Sequence, residues 1–253
     1  MKALFWTLLF LYTGVSVWRH VRGGAAAPRP DRFRALGLQT PLLAVALWIA
    51  VERGALSRDL LSPWGIAAGF ACGYLIHAAS LMVTNATKDL RGILRALRVY
   101  FFGKSRRGAV FADQPGPMFA LFQNSVVEEV IFRAVAQTLL IAATGRVGWS
   151  VLAVAVLFSL GHEHFLRRPR IESIEFLGYA VALGALYYWT GSLILVIVAH
   201  TVRNFELQYQ QHLIRIDAAR RRKRAVILRV RRRSRVARSW NRGERTLRLW
   251  AHT

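Results

Sequence analysis

Two adjacent glutamates, Glu128 and Glu129, and an arginine four residues after the second, Arg133, stand inside the otherwise almost wholly apolar run 119–140. At the centre of a membrane helix each such charge costs about 2.5 to 3.5 kcal/mol, so all three must face protein or water rather than lipid. At 100° per residue Glu129 and Arg133 lie about 40° apart and pair as i and i+4, whereas Glu128 lies about 140° from Arg133. One glutamate is then neutralised within its own helix and the other is left over. An unpaired carboxylate at low dielectric has its charged form disfavoured, which suits it to take a proton from water. The structural alternative is that both glutamates bond across helices.

Two later segments carry polar partners. One ends Phe158-Ser159-Leu160-Gly161-His162, and the other contains His200-Thr201-Val202-Arg203-Asn204. His200 and Asn204 are four apart, so imidazole and carboxamide share one helical face. An imidazole acts as base or donor and an amide donates without charge, which are the parts needed to polarise a water and to hold an oxyanion. A single histidine is more often a satisfied polar residue; the weight lies in the set of Glu128, His162, His200 and Asn204 on three segments. Glu128, His162 and His200 also match a two-His-one-carboxylate zinc set, but Gly161-His162-Glu163-His164 lacks the i, i+4 histidine pair of HExxH. Ser125 and Ser159 adjoin the motifs without a G-x-S-x-G turn, which sets serine catalysis aside.

The elements that must position these residues are apolar. The 253 residues are 54% hydrophobic, with mean hydropathy +0.29. Apolar runs occupy Ala3–Trp18, Leu36–Val51, Gly65–Val83, Pro117–Ala143, Val147–His162, Ile171–Thr190 and Ser192–Leu207. The expected fold is therefore all-α, a polytopic transmembrane bundle of about seven spans. The first run is short, about 24 Å against a core about 30 Å thick, which assigns Trp6 and Trp18 to the interface. It also resembles a signal peptide, with Lys2 before it and Ala25-Ala26-Ala27 after, but Arg19, Arg22 and Pro28 favour an uncleaved span. No matched pair of Gly/Pro-interrupted spans points to transport.

The net charge of +23 is uneven. The last 39 residues hold 15 of the 36 Lys/Arg against Asp217 and Glu244. Basic connections (residues 19–35, 85–107 and 167–170, and the tail) alternate with nearly neutral ones around residue 58, at Gly145-Arg146 and at Thr190-Gly191. The positive-inside bias then places the amino terminus outside and the tail in the cytoplasm. The tail lacks the aromatic interleaving of a nucleic-acid platform and follows the last span directly, so anionic lipid headgroups are its expected partners and nucleic acid is not. Asp89–Phe102 reads as a basic amphipathic helix on the cytoplasmic leaflet, or as an ordinary solvated connector. Cys72 is the only cysteine, which excludes an intrachain disulfide and suits a small buried hydrophobe. Three regions follow: 1–116 with the first spans and the amphipathic segment, 117–214 with the motifs, and the basic tail 215–253.

Glu128-Glu129-x-x-x-Arg133, Phe158-x-x-x-His162 and His200-x-x-x-Asn204, in that order, resemble the three-motif signature of the CPBP family, the CAAX-protease and bacteriocin-processing proteins also called Abi proteins. The stretch from Gly184 through the Thr190-Gly191 turn is similar to that family's last helices, and the likeness covers roughly residues 117–207. It implies a glutamate-dependent intramembrane endopeptidase without a metal or other cofactor, multi-pass in a bacterial inner membrane, acting on a membrane-associated protein or peptide. Carried over by position, Glu128 with His162 activates water, His200 with Asn204 holds the oxyanion, and Glu129 and Arg133 support the helix. Glu163 and His164 depart from the pattern and are expected to mark the membrane exit. The competing expectations are a zinc-dependent membrane protease and a non-catalytic scaffold or immunity protein.

Overall fold

The computed structural model describes residues 1–22, 37–56, 62–84, 90–102, 112, 114–162, 165–167, 169–213, 215–216 and 218. Among these every regular element is helical. Helix α1 spans Lys2–Arg22, α2 Thr40–Glu52, α3 Pro63–Thr84 and α4 Leu90–Phe102. Helix α5 opens with proline in its first turn, where the missing N–H costs nothing, and has three stretches: α over Pro115–Glu129, π over Val130–Gln137, and α over Thr138–Thr144. Then come α6 at Val147–Leu160, a 3-10 turn at Phe165–Arg167, α7 at Arg170–Thr190, and α8 from residue 193. The chain divides into two compact units, Met1–Glu206 and Leu207–Thr253. Within the second, residues 207–213 are helical.

The expected segments are helical with shifted ends. The first, expected to be short, runs 21 residues or about 31 Å, because Lys2 and Arg19 to Arg22 continue its helix. One described helix, α3, is long and apolar enough by itself to cross a bilayer, while the apolar helices Gly37–Glu52 and Val147–Leu160 are shorter. Seven spans are thus not met by length and composition alone. The ions carried by α5 and the glutamates of α7 lower the hydropathy of two helices of adequate length. The Ala25-Ala26-Ala27 site, Glu163, His164 and the tail from residue 219 lie outside the described residues.

Two Thr-Gly turns fold helices back on their neighbours. Gly145 (φ 66°) follows α5 and Gly191 (φ 64°) follows α7, a left-handed backbone that glycine adopts without steric cost. In each turn the threonine hydroxyl accepts the backbone N–H two residues on, from Arg146 at 3.1 Å and from Ser192 at 3.2 Å. Helix α6 then packs along α7, and the π stretch of α5 is wrapped by α2, α6 and α7.

Beside an apolar core, burial in this unit takes in charges and leaves large apolar side chains outside. Glu129, Arg133, Gln137, Arg203 and Glu206 are buried, while Phe10, Trp48, Trp64, Leu75, Trp149 and Trp189 are exposed. Charges inside and large apolar side chains outside suit a low-dielectric surrounding.

Candidate functional site

The π stretch begins immediately after the two glutamates, and all eight of its residues are buried. A π turn carries more residues than an α turn, so it leaves carbonyls short of their usual donors. Thr138 repairs one by donating its hydroxyl to Arg133 O, five residues back, at 3.2 Å. The stretch also aims two side chains at α7. Arg133 Nη2 donates to Ala180 O at 3.2 Å, and Gln137 Nε2 to Gly184 O at 2.8 Å. A Cβ at Gly184 would stand 2.8 Å from Gln137 Oε1 and 2.9 Å from Val151 Cγ1, so a larger residue there would have to displace those side chains. The expected i, i+4 pair is present, with Arg133 Nε 3.2 Å from Glu129 Oε2 and both side chains fully buried.

Glu128 is not left over. Its Oε1 lies 3.5 Å from His162 Nε2 and its Oε2 lies 3.6 Å from His200 Nε2. Glu129 does more than neutralise Arg133, because its Oε1 is 2.7 Å from His200 Nδ1. His200 therefore bridges the two glutamates.

The far nitrogens decide what the near ones present. His162 Nδ1 is 2.7 Å from Phe158 O, and a carbonyl only accepts, so Nδ1 carries the hydrogen. His200 Nδ1 faces a carboxylate already paired with Arg133, so it too donates. In their neutral forms both imidazoles then present a lone pair at Nε2 to Glu128. Two ring nitrogens and a carboxylate, all acceptors, converge at distances too long for direct hydrogen bonds. Such a point attracts a donor, either a proton or a water.

Aromatic rings wall this point. Phe158 lies 4.5 Å from the His162 ring and 6.0 Å from that of His200, Phe176 lies 5.0 Å from His162, and Tyr179 lies 5.6 Å from His200. The Glu128 and His162 side chains stay 17% and 22% exposed, while His200 is 3% exposed.

Asn204 lies one turn beyond His200, as its spacing predicts, and its Nδ2 donates to Ser125 Oγ at 3.3 Å. Ser125 itself donates to Leu121 O at 3.0 Å. The serine set aside as a nucleophile is thus the partner of the amide, three residues before Glu128.

Two features escaped the sequence reading. Glu175 of α7 and Arg203 of α8 form a buried pair, Nη2 lying 2.8 and 3.1 Å from the two carboxylate oxygens, and Ser80 of α3 donates to the same carboxylate. The cost of intramembrane ions, applied to the expected spans 171–190 and 192–207, would have flagged both. The other is the four-spaced set Gly65, Gly69 and Gly73 on α3. A Cβ on Gly69 would stand 2.7 Å from Leu195 O and Val198 Cβ, and one on Gly73 2.7 Å from Val202 Cβ. Helix α8, with His200, thus rests directly on α3 backbone, the close approach that small-xxx-small spacing permits.

Chemically, a carboxylate flanked by two imidazoles is a group that can accept a proton from a water. Among the described residues no group of three or more His, Cys, Asp and Glu side chains is spaced to hold a metal ion. No curated protein and no solved structure matches the chain. Residues 115–205, which carry all three motifs and every side chain around Glu128, match the Rce1-like family model, described as Type II CAAX prenyl endopeptidase Rce1-like, a model of the CPBP proteases.

Proposed function

We propose that the chain is a glutamate-dependent intramembrane endopeptidase that hydrolyses peptide bonds of membrane-associated protein or peptide substrates. The observation that carries this reading is the Glu128 carboxylate bracketed by His162 Nε2 at 3.5 Å and His200 Nε2 at 3.6 Å. A water held between Glu128 and His162 gives a proton to Glu128, and its oxygen attacks the scissile carbonyl carbon. The C–O bond forms as the carbonyl π pair moves onto oxygen. Collapse of the tetrahedral intermediate breaks the C–N bond, and the amine leaves with the proton returned from Glu128. Glu129 holds the His200 ring by its Nδ1–H, so that Nε2 faces the reaction. Arg133, with Nε 3.2 Å from Glu129 Oε2, fixes that carboxylate in place for the purpose. The chain is embedded by multiple spans, with the basic tail on the cytoplasmic side against anionic headgroups.

The test uses the full chain in proteoliposomes with fluorogenic peptides, prenylated and unprenylated. Wild type is expected to cleave at least one class, Glu128→Gln and His162→Ala to fold and cleave nothing, and cleavage to survive exhaustive chelation. Full cleavage by Glu128→Gln would overturn the assignment. Loss on chelation that added zinc restores would transfer it to the zinc-dependent reading.

A further inference from the structure

Tyr179 of α7 is a buried phenol that the chemistry above does not use. It is 3% exposed, and its hydroxyl has no hydrogen-bond partner among the described residues. Buried hydroxyls are nearly always bonded, so an orphan at a reactive site calls for a ligand atom. The ring is held on two sides: Arg203 Cζ stacks 3.9 Å above its centroid, and the His200 ring meets it edge-on at 5.6 Å. Arg203 is in turn fixed by Glu175, so the phenol has little freedom to swing away. The charges of Arg203, Glu129, Glu128 and Arg133 all act on this phenol, which puts it in the field of the reacting carboxylate.

The donors that the motifs offer an oxyanion are largely committed. The ring hydrogen of neutral His200 goes to Glu129 at 2.7 Å, leaving a lone pair toward Glu128, and the Asn204 amide gives one of its hydrogens to Ser125. A peptide carbonyl that turns into an oxyanion beside His200 needs a donor that is fixed, dry and unspent. We infer that Tyr179 is a further catalytic residue, its hydroxyl donating a hydrogen bond to the scissile carbonyl oxygen as negative charge develops there. This rests on the protease reading. No proton leaves the phenol; the bond strengthens as the carbonyl pair moves onto oxygen, so its effect falls on the transition state more than on substrate binding.

The experiment compares wild type, Tyr179→Phe and Glu128→Gln in proteoliposomes with the same fluorogenic peptides. Tyr179→Phe should lower kcat by about 10²- to 10³-fold with KM and Tm little changed, the size of effect seen when one oxyanion donor is removed. Ring-fluorinated tyrosines at position 179, which differ in phenol acidity more than in shape, should give kcat values that follow acidity. Wild-type kcat in Tyr179→Phe beside a dead Glu128→Gln would overturn the tyrosine role and leave the protease reading standing. A lower kcat with a lowered Tm and a flat fluorinated series would assign Tyr179 to packing and also overturn it. Full cleavage by Glu128→Gln would overturn both.

Discussion

Glu128 and Glu129 differ by one position, yet their surroundings divide their consequences. Glu129 is fully buried between Arg133 and His200, at 3.2 and 2.7 Å. In Glu129→Gln the arginine keeps its charge and loses its counterion, and breaking a buried pair in this way costs about 3 to 5 kcal/mol. The same change leaves His200 without a charged acceptor at Nδ1, so its tautomer is no longer held. Glu129→Gln should therefore lower both the detergent Tm and the turnover of whatever protein survives. Paired measurement of Tm and cleavage checks this, and an unaltered Tm would show that Arg133 is stabilised by Ala180 O and the Phe158 ring alone.

At the scale of elements, α8 carries His200, Arg203 and Asn204, so its placement sets the site. That placement depends on α3, where Gly69 lies against Leu195 O and Val198. A valine there puts atoms into occupied space beside a backbone carbonyl that cannot rotate aside. Overpacking costs about 1 to 3 kcal/mol, and here the relief available is to push α8 outward. Gly69→Val should thus lower Tm and reduce cleavage together, while Gly178→Ala, whose Cβ meets nothing within 4 Å, should change neither. Equal activity in both variants would mean that α8 is held by the Glu175–Arg203 pair without help from the glycines. The π stretch is the second positioning device. A uniform wheel over α5 places Glu129 beside Arg133 correctly but misses the change of pitch that follows Glu129.

For the whole molecule, the alternating loop charges predict one topology. Reporter fusions after residues 30, 100 and 240 should report cytoplasm, and one near residue 58 the opposite side. A cytoplasmic signal at 58 would contradict the alternation and the multi-pass arrangement with it.

The sequence by itself determined the helices and the polar residues they carry. Apolar runs cannot leave backbone groups unpaired in lipid, so they must be helical, and Thr-Gly pairs must turn. The cost of intramembrane charge singled out Glu128, Glu129 and Arg133, and spacing paired Glu129 with Arg133. Only the tertiary structure decided which imidazole nitrogen faces which carboxylate, that Glu129 serves His200 as well as Arg133, and that Asn204 turns to Ser125. It alone joined Glu175 to Arg203 and seated α8 on the α3 glycines. The reason is physical: periodicity reports a residue's direction relative to its own helix axis, whereas Glu129 and His200, 71 positions apart, meet only when the rotation and depth of two helices are set by packing.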